Sequence, residues 1–221
     1  MSQNFVVLSD DYDTEIIGDM YPQCVDFDVH RLDVYDGGNW CRIGEQLPGP
    51  IPVTFNLHPR AKFTDYVSGP GGFMGQVVGK MIVSDRLRSF LLKYSPNSRF
   101  LPCHLRQGSK MVAYWIISLK DPVDDWISYP ASSFYYKSNY SAPKESIAVE
   151  STEDAIRIHS ERGRKVHITT VAYRKGAHTV IGRIACPSIG SIYIYCTPDV
   201  WEAIQAAGFT GFRRVIKPSG Y

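Results

Sequence analysis

The sequence predicts an α+β fold with antiparallel or mixed sheets and a few short helices. One observation is a repeated order of elements: strand, hydroxyl cap, aspartate, short amphipathic helix and phenylalanine-bearing strand occur at residues 81–101 and again at 194–215. A second is the run of short apolar segments separated by glycine- and proline-rich turns. The two strand–helix–strand units agree in pattern but not in identity, so a duplication stays open.

The first of these units contains the clearest helix. Ser84 offers a side-chain oxygen to the free amides of a helix start, and Asp85 places a carboxylate near the positive end of the helix dipole. One apolar face follows at helical spacing: Leu87, Phe90, Leu91 and Tyr94. Because proline disfavours helical geometry at the preceding residue, the helix should end before Pro96.

A hairpin should follow this helix, with arms at Arg99 to Leu105 and Met111 to Leu119. The second arm is almost continuously apolar, which predicts a strand buried on both faces. An acidic turn closes it at Asp121, Asp124 and Asp125.

The N-terminal part is predicted to form strands and is rich in acidic residues. Asn4 to Leu8 is apolar, and Cys24 to Tyr35 alternates apolar residues with acids, as a half-buried strand does. Four prolines between residues 48 and 59 favour an extended connector. The glycine-rich stretch at 68–75 marks the predicted boundary between an acidic segment 1–75 and an α+β body 76–221, which together form one compact domain.

The C-terminal half should hold two further helices. Ser151 and Asp154 resemble a capping box for a helix that ends at Gly163, and Thr197 with Pro198 starts another that ends at Gly208. Three strands are predicted between them, the first two joined as a hairpin: Val166 to Tyr173, Thr179 to Ile184 and Ser191 to Cys196.

Bulk properties indicate a globular protein. No apolar run approaches the roughly 18 residues of a membrane span, and the N-terminus lacks a signal-peptide pattern, so we expect a cytoplasmic protein with no membrane partner. Five cysteines without a C-x-x-C pair predict buried free thiols in a reducing compartment: Cys24, Cys41, Cys103, Cys186 and Cys196.

Charge is distributed unevenly along the chain. Residues 1–45 contain ten acids and two bases, a net charge of −8, whereas the whole chain carries +2 and the remainder therefore +10. One interpretation is a solvated acidic face beside a solvated basic one. The other is an acidic surface that steers towards a basic partner.

The segment from Tyr129 to Tyr140 is rich in aromatic residues: Tyr129, Phe134, Tyr135, Tyr136 and Tyr140. Such a segment either packs a loop onto the body or stacks on bases and sugars. Together with Arg162, Arg164 and Lys165 it defines our alternative hypothesis, a small-molecule or nucleic-acid binding enzyme.

No catalytic, cofactor or metal constellation stands out. Asp26, Asp28 and His30 have a calcium-loop spacing, but Arg31 and Gly37 occupy its glycine and glutamate positions. Adjacent strand residues point to opposite faces, so Cys103 and His104 cannot pair as nucleophile and base. His167 and His178 could face each other across the late hairpin, but two histidines lack a third ligand. We therefore expect no cofactor, no metal and no enzymatic activity.

Three short motifs in the central stretch suggest a family. Val83 to Arg88 reads as "V-S-[DE]-R-[LVF]-[RK]", Phe100 to Pro102 as "F-[LF]-P", and Trp115 to Asp121 as an apolar strand that ends in an acidic turn. At the C-terminus, residues 208–213 resemble a closing "G-[LF]-x-G-[LF]-x-F" strand, with Arg214 where an apolar residue is usual. In these motifs the chain resembles family eleven of the immunity proteins of bacterial polymorphic toxin systems.

The resemblance implies a cytoplasmic immunity protein that binds a cognate secreted antibacterial toxin, such as a nuclease, and occludes it without catalysis. The partner would then be a protein with a basic surface, and nucleic acid would not be the ligand. We predict that acidic side chains form the partner surface: Asp10, Asp11, Asp13, Glu15, Asp26, Asp28, Asp33, Asp36, Asp121, Asp124 and Asp125.

Overall fold

The structure is a computed structural model that describes residues 3–19, 21–28, 53–69, 80–119, 122–138, 141–174, 180–184, 186–190 and 193–215. The predicted α+β fold is confirmed: within these ranges four helices accompany antiparallel and mixed sheets. The helices are α1 Thr14–Ile17, α2 Asp85–Leu91, α3 Thr152–Arg162 and α4 Pro198–Ala206. The strands are β1 Gln3–Asn4, β2 Val6–Asp10, β3 Cys24–Asp28, β4 Val53–Leu57, β5 Tyr66–Val67, β6 Lys80–Val83, β7 Arg99–Gln107, β8 Lys110–Ser118, β9 Ser133–Tyr136, β10 Glu145–Ile147, β11 Val166–Thr170, β12 Ala172–Tyr173, β13 Ile181–Gly182, β14 Ile189–Gly190, β15 Ile194–Cys196 and β16 Phe212–Val215.

The chain divides into two units that interleave along the sequence. Unit one contains residues 1–9, 120–206 and 214–221, and unit two contains residues 10–119 and 207–213. This division differs from the predicted segments 1–75 and 76–221, because the central hairpin stays with the N-terminal part of the chain. The glycine-rich stretch that suggested the earlier boundary lies mostly outside the described residues.

Unit two is built on a six-stranded sheet in the order β3-β4-β7-β8-β6-β5, in which β4 and β7 run parallel and the other pairs antiparallel. The predicted helix is confirmed as α2: the Ser84 hydroxyl accepts from the Leu87 amide at 3.1 Å, and Leu87 and Leu91 are buried. The predicted hairpin is confirmed as β7 and β8. Its second arm is buried on both faces at Ile116 and Ile117, whereas Met111 is 55% exposed.

Unit one holds a separate core under the sheet β10-β9-β11-β14 and the strands β13, β15 and β2. Helix α3 confirms the capping prediction, with the Ser151 hydroxyl accepting from the Asp154 amide and Gly163 ending the helix at φ 70°. The predicted hairpin between the strands near 166–173 and 179–184 is wrong. Strand β13 pairs with β15, while β11 pairs with β9 and β14, because long-range pairing overrides proximity in sequence.

The repeated strand–helix–strand pattern is confirmed in the topology. Strands β6 and β7, which flank α2, lie on either side of β8, and strands β15 and β16, which flank α4, lie on either side of β2. Each is a split β-α-β unit with a third strand inserted between its two strands. In α4 Val200 and Ile204 are buried and Trp201 is half-buried. Across the described ranges, no helix combines the length and apolarity that crossing a membrane requires.

Candidate partner-binding surface

Asp65 connects the sequence motifs of unit two. The Ser84 hydroxyl donates to Asp65 Oδ1 at 2.7 Å, and Arg86 donates from Nε to Oδ1 at 3.2 Å and from Nη2 to Oδ2 at 2.6 Å. The Thr210 amide donates to Oδ2 at 3.2 Å. Burial alone would raise the pKa of Asp65, but the hydrogen bonds from Arg86, Ser84 and Thr210 outweigh it and lower that pKa. The carboxylate is therefore held ionised between the helix start and the closing segment.

Arg86 also binds the closing segment directly. Its guanidinium donates to the carbonyls of Ala207 at 2.9 Å and Gly208 at 3.1 Å and lies 4.4 Å from the centre of the Phe209 ring. The arginine of the first motif thus contacts the glycine and aromatic residue of the last. These contacts give the two motifs a structural role within unit two.

Asp10 and Asp11, the first acidic residues of unit two, are buried and do not lie at the surface. Asp10 accepts hydrogen bonds from the hydroxyls of Tyr21, at 2.7 Å, and of the buried Tyr66. Burial, and then the Asp10 charge, raises the pKa of Tyr66. Asp11 is buried too, and its carboxylate accepts from the Asp13 amide at 3.0 Å. These two carboxylates position the chain around Tyr12.

An exposed pair of tyrosines, Tyr12 and Tyr21, lies next to these two carboxylates. The rings of Tyr12 and Tyr21 meet edge to face with centres 4.4 Å apart, and the two residues are 39% and 45% exposed. The exposed Arg213 places its guanidinium 4.3 Å from the centre of the Tyr12 ring. Tyrosine and arginine are the side chains that most often anchor protein interfaces.

Two exposed acids border the tyrosine pair along the chain. Asp13 caps α1 by accepting from the Glu15 amide at 2.9 Å, and the side chains of both Asp13 and Glu15 are exposed. We name this patch the tyrosine–acid surface; its members are Tyr12, Asp13, Glu15, Tyr21 and Arg213. The sequence predicts the two acids but not the tyrosines or Arg213, because no local pattern indicates that Arg213 lies on the Tyr12 ring or that the two tyrosine rings meet.

The remaining predicted site residues do not gather around this patch. Asp26 is exposed and its carboxylate accepts from the side-chain Nδ2 of Asn56, and Asp28 lies on β3. In unit one, Asp124 accepts from the Cys186 amide at 2.9 Å and Asp125 is exposed. Asp33, Asp36 and Asp121 lie outside the described residues.

The described aromatic side chains of the segment from Tyr129 to Tyr136 are buried in unit one. Tyr129, Phe134, Tyr135 and Tyr136 are all buried. The Tyr129 ring stacks on Phe134 at 5.8 Å between centres, and the Tyr136 hydroxyl donates to the Arg162 carbonyl at 3.0 Å. The packing interpretation of this segment is confirmed for these residues; Tyr140 is outside the described ranges.

The structure also places the candidate chemical groups. Cys103 is buried while His104 on the next position of β7 is half-buried. His167 lies on β11, and His178 is not among the described residues. The part of the chain that the structure describes holds no cluster of three His, Cys, Asp or Glu side chains suited to a metal ion. Its four cysteines, Cys24, Cys103, Cys186 and Cys196, are buried free thiols as predicted.

Comparisons with protein-family models, with curated proteins and with solved structures found no match.

Proposed function

We propose that this protein is an immunity protein that binds a cognate antibacterial toxin in the cytoplasm and blocks it without catalysis. The observation that carries the proposal is the convergence on Asp65 of Ser84 and Arg86 from the first motif and Thr210 from the last. Motifs that were recognised by their order in the sequence thus form one hydrogen-bonded unit. The contact between the first and last motifs supports treating them as one family signature. The immunity function is inferred from the resemblance to that family.

We further propose that the toxin docks on the tyrosine–acid surface. Tyr12 and Tyr21 offer large rigid contact areas at low entropic cost, and Asp13 and Glu15 add negative charge beside them. A partner with a basic surface, such as a nuclease that binds phosphate, would complement this patch. Asp10 and Asp11 contribute by holding the chain in place beneath it.

Binding kinetics test this proposal. The proposal predicts that a neighbouring gene encodes the toxin. That toxin should form a complex whose association is slower for the Asp13→Lys, Glu15→Lys variant, and the difference should shrink at high salt. Tyr12→Ala should mainly speed dissociation, by about tenfold or more. The matched control reverses two exposed helical acids of unit one, Glu161→Lys with Glu202→Lys.

Equal association rates for the wild type and the Asp13/Glu15 variant at low salt would contradict a role of these two acids in toxin binding. Reversal of Asp10 or Asp11 is unsuitable for the test, because both carboxylates are buried and hydrogen-bonded within unit two.

A further inference from the structure

One face of the sheet β10-β9-β11-β14 is turned away from the core of unit one. Phe134, Val166 and Ile168 point into that core, so their neighbours along the strands, Tyr135 and His167, lie on the opposite face. Tyr135 is paired with His167 on β11 and with Ser146 on β10. The outer face therefore carries a row of side chains that crosses several strands.

Three lysines stand next to this row. Continuing the register by one residue beyond the ends of β10, β9 and β11 places Lys144 and Lys165 on either side of Lys137. Lys144 and Lys165 are exposed, and Lys137 is half-buried. Like charges on directly opposed strand positions repel one another, and a bound anion would reduce that repulsion.

The electrostatics of His167 agree with this placement. Burial lowers the pKa of its imidazole, and the positive charges of Lys137, Lys144 and Lys165 lower it further. All three ammonium groups therefore act on the same imidazole. The nearby acid Glu145 is paired with Arg162 at 3.0 Å.

The rings on this face are covered and do not form an open stacking platform. The Lys144 ammonium lies 4.7 Å from the centre of the Tyr135 ring, which itself stacks on His167 with centres 5.0 Å apart and planes 16° apart. His167 in turn lies against Gly190, where a Cβ atom would come within 3.0 Å of Nδ1. The charged groups that this face presents are ammonium donors, which favours a compact anion over stacked bases.

We propose that Lys137, Lys144 and Lys165, named here the lysine row, bind the phosphate groups of a small phosphorylated molecule. Neighbouring strands lie about 4.8 Å apart, so the row spans roughly 10 Å, a length that suits a diphosphate or a nucleotide better than a carboxylate. The inference does not depend on the immunity proposal, and either can fail without the other.

Pyrophosphate is titrated into the protein at constant ionic strength, and binding is followed by the NMR signal of the His167 ring. The His167→Gln variant identifies that signal, because it lacks it. Binding should saturate with one equivalent per chain and raise the pKa of His167, since a bound anion stabilises the imidazolium. Lys165→Gln and Lys137→Gln should each weaken binding by about tenfold, the loss of one charge-assisted contact. Lys110→Gln, which removes a lysine that lies over the Phe63 ring in unit two, is the control and should change affinity less than twofold.

Three results would contradict a phosphate site at the lysine row. They are a His167 signal that does not saturate with pyrophosphate, the same change in that signal on adding chloride, and a loss of affinity in Lys110→Gln as large as in Lys165→Gln. Binding of a single-stranded oligonucleotide without any binding of pyrophosphate would replace the compact site with an extended nucleic-acid face. Because Lys165 is exposed, its substitution keeps the test valid even if Lys137→Gln fails to fold.

Discussion

Arg86 donates two hydrogen bonds to the Asp65 carboxylate, from Nε to Oδ1 at 3.2 Å and from Nη2 to Oδ2 at 2.6 Å. The same guanidinium donates to the carbonyls of Ala207 and Gly208. One side chain thereby ties the start of α2 to the closing segment 207–213. Its own side chain is 54% exposed, so solvent screens part of the attraction. The buried partner, Asp65, is the member whose loss should matter more.

Removing the Asp65 carboxylate should destabilise the protein. Asp65→Ala leaves the Ser84 hydroxyl and the Thr210 amide without their acceptor and should lower the free energy of unfolding by about 2 kcal/mol. Urea unfolding measures the difference. Asp19→Ala, at an exposed position, is the control and should stay within about 0.5 kcal/mol of the wild type. Equal effects of the two substitutions would show that the Asp65 contacts do not stabilise the fold.

The contribution of Asp65 should depend on pH in one direction. Its pKa in the folded protein is lower than the ordinary value of 3.8, so folding favours the ionised form. The stabilisation is complete above the unfolded pKa, near pH 4 and higher, and is lost as the pH falls through the folded pKa. The gap in unfolding free energy between wild type and Asp65→Asn should therefore narrow in acid below about pH 4. A gap that widens in acid would contradict this assignment.

Gly211 should tolerate no side chain. Its φ is 98°, and an added Cβ would lie 1.9 Å from the Tyr66 carbonyl oxygen. Gly108 also has a positive φ, 59°, but an added Cβ there meets nothing within 4 Å. Gly108→Ala should thus cost about 1 kcal/mol of backbone strain, and Gly211→Ala more than about 3 kcal/mol. Similar thermal unfolding midpoints for the two variants would show that the segment shifts to make room.

The described thiols should react slowly in the native protein. Burial, followed by the charge of Asp26, raises the pKa of Cys24 to about 12, and burial raises that of Cys103 and Cys196. At pH 8 only about one Cys24 side chain in 10,000 is then a thiolate. In a Cys41→Ser variant, Ellman's reagent should label the remaining four cysteines only after denaturation. Rapid labelling of the folded variant would mean that at least one of these thiols is accessible.

Local patterns predicted much of the fold. The cap at Ser84, the hairpin of β7 and β8, and the helix between Ser151 and Gly163 depend on neighbouring residues, and all are present. Pairings between distant segments were not predictable from the same signals. The parallel pair β4 and β7 and the pair β13 and β15 depend on which apolar faces meet, and no single stretch of sequence encodes that.

The candidate site was predicted less completely, for a related reason. Composition identified an acidic N-terminal segment but could not separate buried acids from exposed ones. Asp10 and Asp11 serve as internal acceptors, whereas Asp13 and Glu15 reach the surface. Asp65 has no distinguishing neighbours in the sequence, although three residues from two other segments of unit two, Ser84 with Arg86 and Thr210, bond to it. Hydrogen-bond partners separated by up to 145 residues become visible only in the folded chain.

The immunity proposal is tested most directly by bacterial growth when the toxin that it places in a neighbouring gene is expressed alone or together with this protein. The wild-type chain should restore growth, and the Tyr12→Ala, Asp13→Lys, Glu15→Lys triple variant should restore it poorly at equal protein levels. The Glu161→Lys, Glu202→Lys control should protect as well as the wild type. Failure of the folded wild-type chain to restore growth or to form a complex with the toxin would contradict its assignment as an immunity protein.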